Sequence, residues 1–285
     1  MTVQTSEQRT NDDDTKRMQQ FAEDGFLVMR RKIPKDCIKQ WQTFAKTHFD
    51  DIFMKLHSHG HTAFPTHVVV HQDGDNNQKQ YALGLGVKDG FKEIVMRSPG
   101  RYEISLLHHS PSEEIPPLED IKSYLFPLIP SLLEASSWEE IQLCHISLLV
   151  STPGSTEQSW HADGGHVSTS EHLPCHVLNV LIPLVDVSTE RGPTEFRPGT
   201  QVHTRNLAPM MLAARARKTL RTPVAPELQV GDVLLFDYRV LHRGKANRSN
   251  TNRSILVLTF SKPWYKDICN FPNRSMFEVA AVKET

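Results

Sequence analysis

Apolar positions recur with two different textures along the chain, helical spacing in the first half and short β-like runs after about residue 140. From Pro34 the series Ile38, Trp41, Phe44, Ala45, His48, Phe49, Ile52, Phe53 keeps one helical face apolar and predicts a helix, with Pro34 suited to its first turn. Upstream, Met18, Phe21 and Ala22 give a short helical stripe that Gly25 closes before the run "FLVM" at 26–29, which reads as helix, turn, strand. Residues 1–14 carry no such pattern and are expected to form a disordered tail, with 15–285 a single domain. Residues 55–115 read as loops and short strands, and 117–138 as helical segments broken by Pro127 and Pro130. Beyond residue 140 the runs 146–150, 176–184, 233–236 and 255–260 are separated by Pro, Gly and Ser. These features predict a mainly β protein with flanking α-helices, its strands arranged as a sandwich or jelly-roll barrel braced on one sheet by the upstream helices.

Composition narrows the partners more than the fold. Lys plus Arg total 32 against 33 Asp plus Glu, with no block of like charge, so neither a nucleic acid nor a membrane surface is the expected partner and a small molecule is. The four cysteines, Cys37, Cys144, Cys175 and Cys269, form no CxxC pair, which points away from a zinc ribbon or disulfide framework and toward a reducing compartment. No apolar stretch is long enough to span a membrane or serve as a secretory segment. A cytoplasmic monomer or homodimer is expected.

The stretch "SWHADGGHVS" holds His161 and Asp163 with one residue between them. In extended backbone, alternate side chains share a face, so both could reach one ion. A third candidate lies in "GDVLLFDYRVLHRGKANRSNTNRSILVLTF", where His242 ends one apolar segment and Arg253 begins the next. Read as a hairpin turning near Asn247 and Arg248, this segment puts His242 opposite Arg253 on neighbouring antiparallel strands. Two imidazoles and one carboxylate on one face of an ion suit Fe(II) and leave positions open for a co-substrate and dioxygen. A guanidinium beside them can hold a second carboxylate bidentately.

In order along the chain, "FAEDGFLVMRRKIPKD", "WHADGG", "GPTEFRPGTQVH" and "GDVLLFDYRVLHRGKANRS" followed by Arg253 resemble the phytanoyl-CoA dioxygenase-like branch of the Fe(II)/2-oxoglutarate-dependent dioxygenases. The resemblance implies a double-stranded β-helix (jelly-roll, cupin-like) core. It also implies Fe(II) bound by His161, Asp163 and His242, 2-oxoglutarate held at its distal carboxylate by Arg253, and dioxygen as the third reactant. Oxidative decarboxylation to succinate and carbon dioxide would precede hydrogen abstraction from a small-molecule substrate, giving hydroxylation, desaturation or ring closure, a chemistry common in specialised metabolism. Asp163 argues against halogenation, for which related enzymes replace this carboxylate with a small residue. Where many members carry a lysine shortly before the His-x-Asp, this chain has Ser151 and Thr152, so Thr152 is taken as a co-substrate contact together with Asn179 on the following strand.

Other residues admit a plainer reading beside a functional one. His57, His59 and His61 in "HSHGH" could gather around a metal, but a loop over the active-site opening accounts for them. His166 and His172 read as residues behind or outside the metal ligands, and of His108 and His109 at most one can face a pocket. Arg101 and Tyr102 are candidate substrate contacts, Arg101 for a carboxylate, against a reading as an exposed Arg and half-buried Tyr at a strand end. Trp160 points away from the metal on strand parity, and the helix from Met210 packs on the surface. Two other functions compete with the oxygenase, a metal-containing jelly roll that only binds a ligand and a zinc hydrolase using the same triad. Arg253 separates them, because neither needs an anchor for a second carboxylate.

Overall fold

The computed structural model describes residues 6–61, 82–83, 90–107, 115–125, 128–168, 170–266 and 271–277. Two sheets face one another, antiparallel except that β2 and β6 of the smaller one run parallel. The larger has seven strands in the order β1, β9, β7, β11, β5, β4, β3 and the smaller has four in the order β2, β6, β10, β8. In the large sheet the strands are β1 (Phe26–Met29), β3 (Ile94–Ser98), β4 (Arg101–Ser105), β5 (Gln142–Ser151), β7 (Val177–Pro183), β9 (Val233–Asp237) and β11 (Arg253–Ser261). The small sheet is built from short pieces, β2 (Ala82–Leu83), β6 (His161–Ala162), β8 (Thr194–Phe196) and β10 (His242–Gly244). The four long runs read from sequence are β5, β7, β9 and β11, which occupy the middle of the large sheet.

The middles of these strands are apolar on both faces because both faces are covered, and their polar residues, such as Asn179, Thr259, Ser151 and Arg253, sit where the site is built. On the inner face Phe26, Leu181, Leu234, Phe236, Ile255 and Val257 form a core with Phe196 of β8. On the outer face Leu148, Leu178, Leu256, Leu258 and Phe260 pack with helix α2 (Lys35–Ser58). Its buried residues, Ile38, Trp41, Ala45, His48, Phe49, Ile52, Phe53 and Leu56, follow the predicted stripe, with Asp36 in the first turn and Lys55 and His57 in the last, as the helix dipole favours. Pro34 occupies the N-cap, and the Gln42 side chain donates to the Leu184 carbonyl at 2.7 Å, tying the helix to the end of β7. Helices α3 (Glu119–Leu125) and α4 (Leu128–Leu132) correspond to the broken segments, with Pro130 tolerated near the start of the second.

Three sequence expectations are corrected. Residues 6–14 belong to helix α1 (Ser6–Asp24) rather than to a disordered tail. The first turns of this helix are polar and precede its Met18–Ala22 stripe, so periodicity cannot tell them from disorder. His242 and Arg253 are not paired across a hairpin: His242 pairs with His161 and Phe196 in the small sheet, whereas Arg253 pairs with Ser151 in the large one. The connecting segment crosses between sheets, held by Asn247, whose buried amide donates to the carbonyls of Ser151 and Thr251 at 2.9 and 2.8 Å. The run at 57–61 forms the end of α2, its cap and the turn after it rather than a loop over the active-site opening.

His176, just before β7, is 3% exposed and packed against the rings of Trp264 and Tyr265. Burial, assisted by the field of Arg239, pulls its pKa from 6.5 down to about 4. Unfolded chains therefore take up this proton at a higher pH than folded ones, and stability declines as pH falls through the window between these values. The thermal midpoint is expected to drop between pH 6.5 and 4, and His176→Phe to drop less steeply over that interval. Equal slopes in the two proteins would contradict the assignment.

Candidate metal centre and cavity

The short strand β10 is hydrogen-bonded on both sides, so His242 sits directly opposite His161 of β6. The two imidazole centroids are 4.4 Å apart. Each ring is oriented from behind: Nδ1 of His161 lies 2.8 Å from the Ser159 carbonyl, and Nδ1 of His242 lies 3.1 Å from that of Val240. A carbonyl only accepts, so Nδ1 carries the proton in both rings and each Nε2 presents a lone pair. Those Nε2 atoms are 3.7 and 3.6 Å from Oδ1 of Asp163, and the donor atoms of the three residues all lie within 4.8 Å of one another. Among the described residues this is the one group of His, Cys, Asp and Glu side chains so arranged.

Asp163 is held by its other oxygen. Asn179 of β7 donates from Nδ2 to Asp163 Oδ2 at 2.7 Å, and Thr259 of β11 donates to Asn179 Oδ1, also at 2.7 Å. This relay leaves Oδ1 facing the two imidazoles. Asn179 was expected to contact the co-substrate; it does line the cavity, but its amide is spent on the carboxylate. Burial and the neighbouring His242 drive the pKa of His161 from 6.5 to about 4, only partly opposed by Asp163, so the ring stays neutral and able to ligate well into acid.

The turn between β9 and β10 is braced by a pair not identified from sequence. The guanidinium of Arg239, 1% exposed, bonds both oxygens of Asp237, at 2.9 Å from Nε and 2.6 Å from Nη2, and donates from Nη1 to the Leu173 carbonyl. The Asp237 side chain also accepts the Arg239 backbone N–H at 2.9 Å. The turn carries Tyr238, whose carbonyl accepts the Asp163 N–H at 3.0 Å and whose ring fills the space a side chain would need at Gly164. The Gly after Asp163 is thus a packing requirement, and the Asp-x-Arg spacing in "FDYRVLH" was the available signal.

A cavity of about 610 Å³ opens beside the triad, bounded by the inner face of the large sheet. Leu149, Leu181, Phe236 and Val257 give it an apolar wall. At one end of the strands Arg253 and Arg101 both line it. Arg253 is fully buried, donates to Ser151 Oγ at 2.9 Å and to the Gly192 carbonyl, and burial lowers its pKa to about 10. Arg101 is fully buried as well, not exposed as in the plainer reading. Its neighbour Tyr102 points the other way, buried against Phe49 and Phe53 of α2, with burial raising its phenol to about 12. Strand alternation therefore removes Tyr102 from the cavity as a substrate contact. The same parity moves Thr152 out: its hydroxyl donates to the Gly100 carbonyl at 3.0 Å, and Ser151 is the residue that meets Arg253.

The remaining candidates disperse. The His57 ring faces Phe53, His59 bonds the Lys55 carbonyl beside Phe277, and His61 meets Phe91 and the Met276 carbonyl, so they do not converge. His166 lies 2.7 Å from the Thr204 hydroxyl, with His172 beside it. His108 and His109 fall outside the described residues. Trp160 packs near Ala162, Met211 and Leu241 and is flanked by the guanidiniums of Arg197 and Arg243, 4.5 and 4.6 Å from its ring.

The sequence profile of the phytanoyl-CoA dioxygenase (PhyH) family matches residues 21–255, and the chain belongs to that family. Solved structures of similar fold include EctD from S. alaskensis with bound Fe, at 17% identity and a TM-score of 0.56, covering 90% of this chain and 79% of that one. The epimerase SnoN in complex with Fe3+, alpha-ketoglutarate and nogalamycin RO matches at 14% identity and a TM-score of 0.54 over 88% and 84% of the two chains. HygX from Streptomyces hygroscopicus, with nickel and 2-oxoglutarate bound, matches at 12% identity and a TM-score of 0.51 over 96% and 98%.

Loss of the Asn179 relay is expected to weaken divalent-metal binding without removing a ligand. Titration with Co(II) should show a loss of about tenfold or more in Asn179→Ala, the range typical of residues that orient a ligand. Unchanged affinity would show that Asp163 needs no such support.

Proposed function

We propose that this protein is an Fe(II)/2-oxoglutarate-dependent dioxygenase that oxidises a small organic molecule, by hydroxylation or by desaturation or cyclisation after C–H hydrogen abstraction. The observation that carries this reading is the joint presence, in one cavity, of three convergent donors and a fully buried guanidinium. Nε2 of His161, Nε2 of His242 and Oδ1 of Asp163 would hold the iron. Two nitrogens and one carboxylate oxygen are the donor set that suits Fe(II) and keeps positions open. Bound iron supplies the activation of dioxygen, coupled to decarboxylation of 2-oxoglutarate to succinate and carbon dioxide, and thus the oxidant that takes hydrogen from the substrate.

The chain's own part is positioning and exclusion. Arg253 fixes the distal carboxylate of 2-oxoglutarate, its place on a nine-residue central strand setting how far the co-substrate reaches toward the triad. Leu149, Leu181, Phe236 and Val257 keep water from the reacting atoms. Asp163 occupies the position a halide would need. A hydrolase or a passive binder has no use for a buried cation at the far end of the cavity, which favours the oxygenase over both.

Family membership and the Fe or 2-oxoglutarate complexes of EctD, SnoN and HygX support the reading. SnoN is an epimerase and SnoK, of similar fold, a carbocyclase, which supports leaving the outcome after hydrogen abstraction to the substrate. Among the described residues no helix is long and apolar enough to cross a membrane, and the proposed setting is the cytoplasm with a small-molecule substrate from specialised metabolism.

Anaerobic addition of Fe(II) and 2-oxoglutarate should produce the weak visible charge-transfer band of the chelate. Asp163→Ala should lose the band, and Arg253→Ala should require about tenfold or more 2-oxoglutarate to reach it. A folded, iron-loaded wild type with no band would overturn the proposal.

A further inference from the structure

Two arginines, on different strands, meet at one end of the cavity. Arg101 begins β4, Arg253 begins β11, and both are in register with Ser151 at the end of β5 between them, so the three side chains form one row on the same face. Both arginines are fully buried. Among the described residues neither is ion-paired with a carboxylate. Glu157, whose field reaches Arg101, is committed to Arg243 and, at 2.9 Å, to Lys245.

The partners of the two guanidiniums lie against one another. Arg101 donates from Nη2 to the carbonyls of Lys245 and Thr156, at 2.8 and 3.3 Å, and from Nε to Ser98 Oγ at 3.3 Å. Arg253 donates to the Gly192 carbonyl, and Gly192 packs so closely on the carbonyls of Lys245 and Ala246 that a Cβ there would lie 2.4 Å from each. A Cβ on Gly244 would fall 2.1 Å from Arg101 Nη1, so glycine there makes room for the guanidinium. Nη1 of Arg101 and Nε of Arg253 have no hydrogen-bond partner among the described residues. Each cation also disfavours the other: Arg101 is pulled well below its ordinary pKa, first by burial and then by Arg253.

Two neighbouring buried cations with carbonyl and hydroxyl partners and an open donor each are costly by themselves, and an anion relieves that cost. We infer that Arg101 and Arg253 together form a two-guanidinium site for a carboxylate, and that Arg101 is a second anchor for the distal carboxylate of the dicarboxylate co-substrate rather than a contact for the substrate. This inference rests on the oxygenase reading. It assigns co-substrate selectivity to a residue on β4, a strand that bears none of the metal ligands. The site should discriminate against 2-oxo acids that end in a methyl group, because those would leave both cations buried and unpaired.

The test is binding without turnover. Zn(II)-loaded protein, which supports no dioxygen chemistry, is titrated calorimetrically with 2-oxoglutarate and with 2-oxopentanoate, in the absence of substrate. Arg101→Gln is expected to weaken 2-oxoglutarate by about tenfold to a hundredfold. It should leave 2-oxopentanoate within about twofold, compressing the selectivity between them. Arg101→Lys, which keeps the charge and loses the fork, should fall between wild type and Arg101→Gln, and it covers the case in which Arg101→Gln fails to fold. Equal loss of both ligands, or a 2-oxoglutarate affinity unchanged in a folded variant, overturns the inference while leaving the oxygenase reading intact. Wild-type protein that binds 2-oxoglutarate no better than 2-oxopentanoate overturns both.

Discussion

The site depends on the pairing of His242 with His161 across a strand only three residues long. Because β10 is hydrogen-bonded to β6 on one side and β8 on the other, neither histidine can shift by a residue without turning its ring to the opposite face. Backbone carbonyls then fix each Nδ1, so the two Nε2 lone pairs are aimed before any ion arrives. Asp163 follows two residues after His161 and is held between the Tyr238 carbonyl and the Asn179 amide. The buried Asp237–Arg239 pair stiffens the turn that delivers both Tyr238 and His242.

The two sheets divide the work. The small sheet and the turn after β6 carry His161, Asp163 and His242, and the large sheet carries the cations and the apolar wall. The separation between the His161–Asp163–His242 cluster and Arg253 is therefore set by how the sheets pack, through Phe26, Phe196, Phe236 and their neighbours, and not by a loop. The outer face of the large sheet is backed by α2, whose aromatic stripe reaches Tyr102. Arg101 and Tyr102 are adjacent, yet one serves the cavity and the other the helix layer.

Much of this was legible in the sequence, for identifiable reasons. The helix from Lys35 and the strands around 148, 180, 235 and 257 announce themselves because burial imposes a period or an unbroken apolar run. The convergence of His161, Asp163 and His242 was legible from the His-x-Asp alternation and the distal His. Sheet membership was not: a segment that crosses between sheets has the same turn residues as a hairpin, and only the buried Asn247 shows the difference. Parity at strand ends was missed too: Tyr102 was chosen beside Arg101 although only Arg101 lines the cavity, and Thr152 was chosen where Ser151 meets Arg253. Asn179 was selected for the right wall, while its hydrogen bond to Asp163 joins residues on separate elements and has no signal in local spacing.

The most direct test of the central claim is crystallographic. Crystals grown without oxygen in Fe(II) and 2-oxoglutarate should show an anomalous iron peak bonded to Nε2 of His161, Nε2 of His242 and one oxygen of Asp163, with the distal carboxylate of 2-oxoglutarate at Arg253. An iron bound elsewhere, a fourth protein ligand closing the coordination sphere, or a co-substrate turned away from Arg253 would contradict the account.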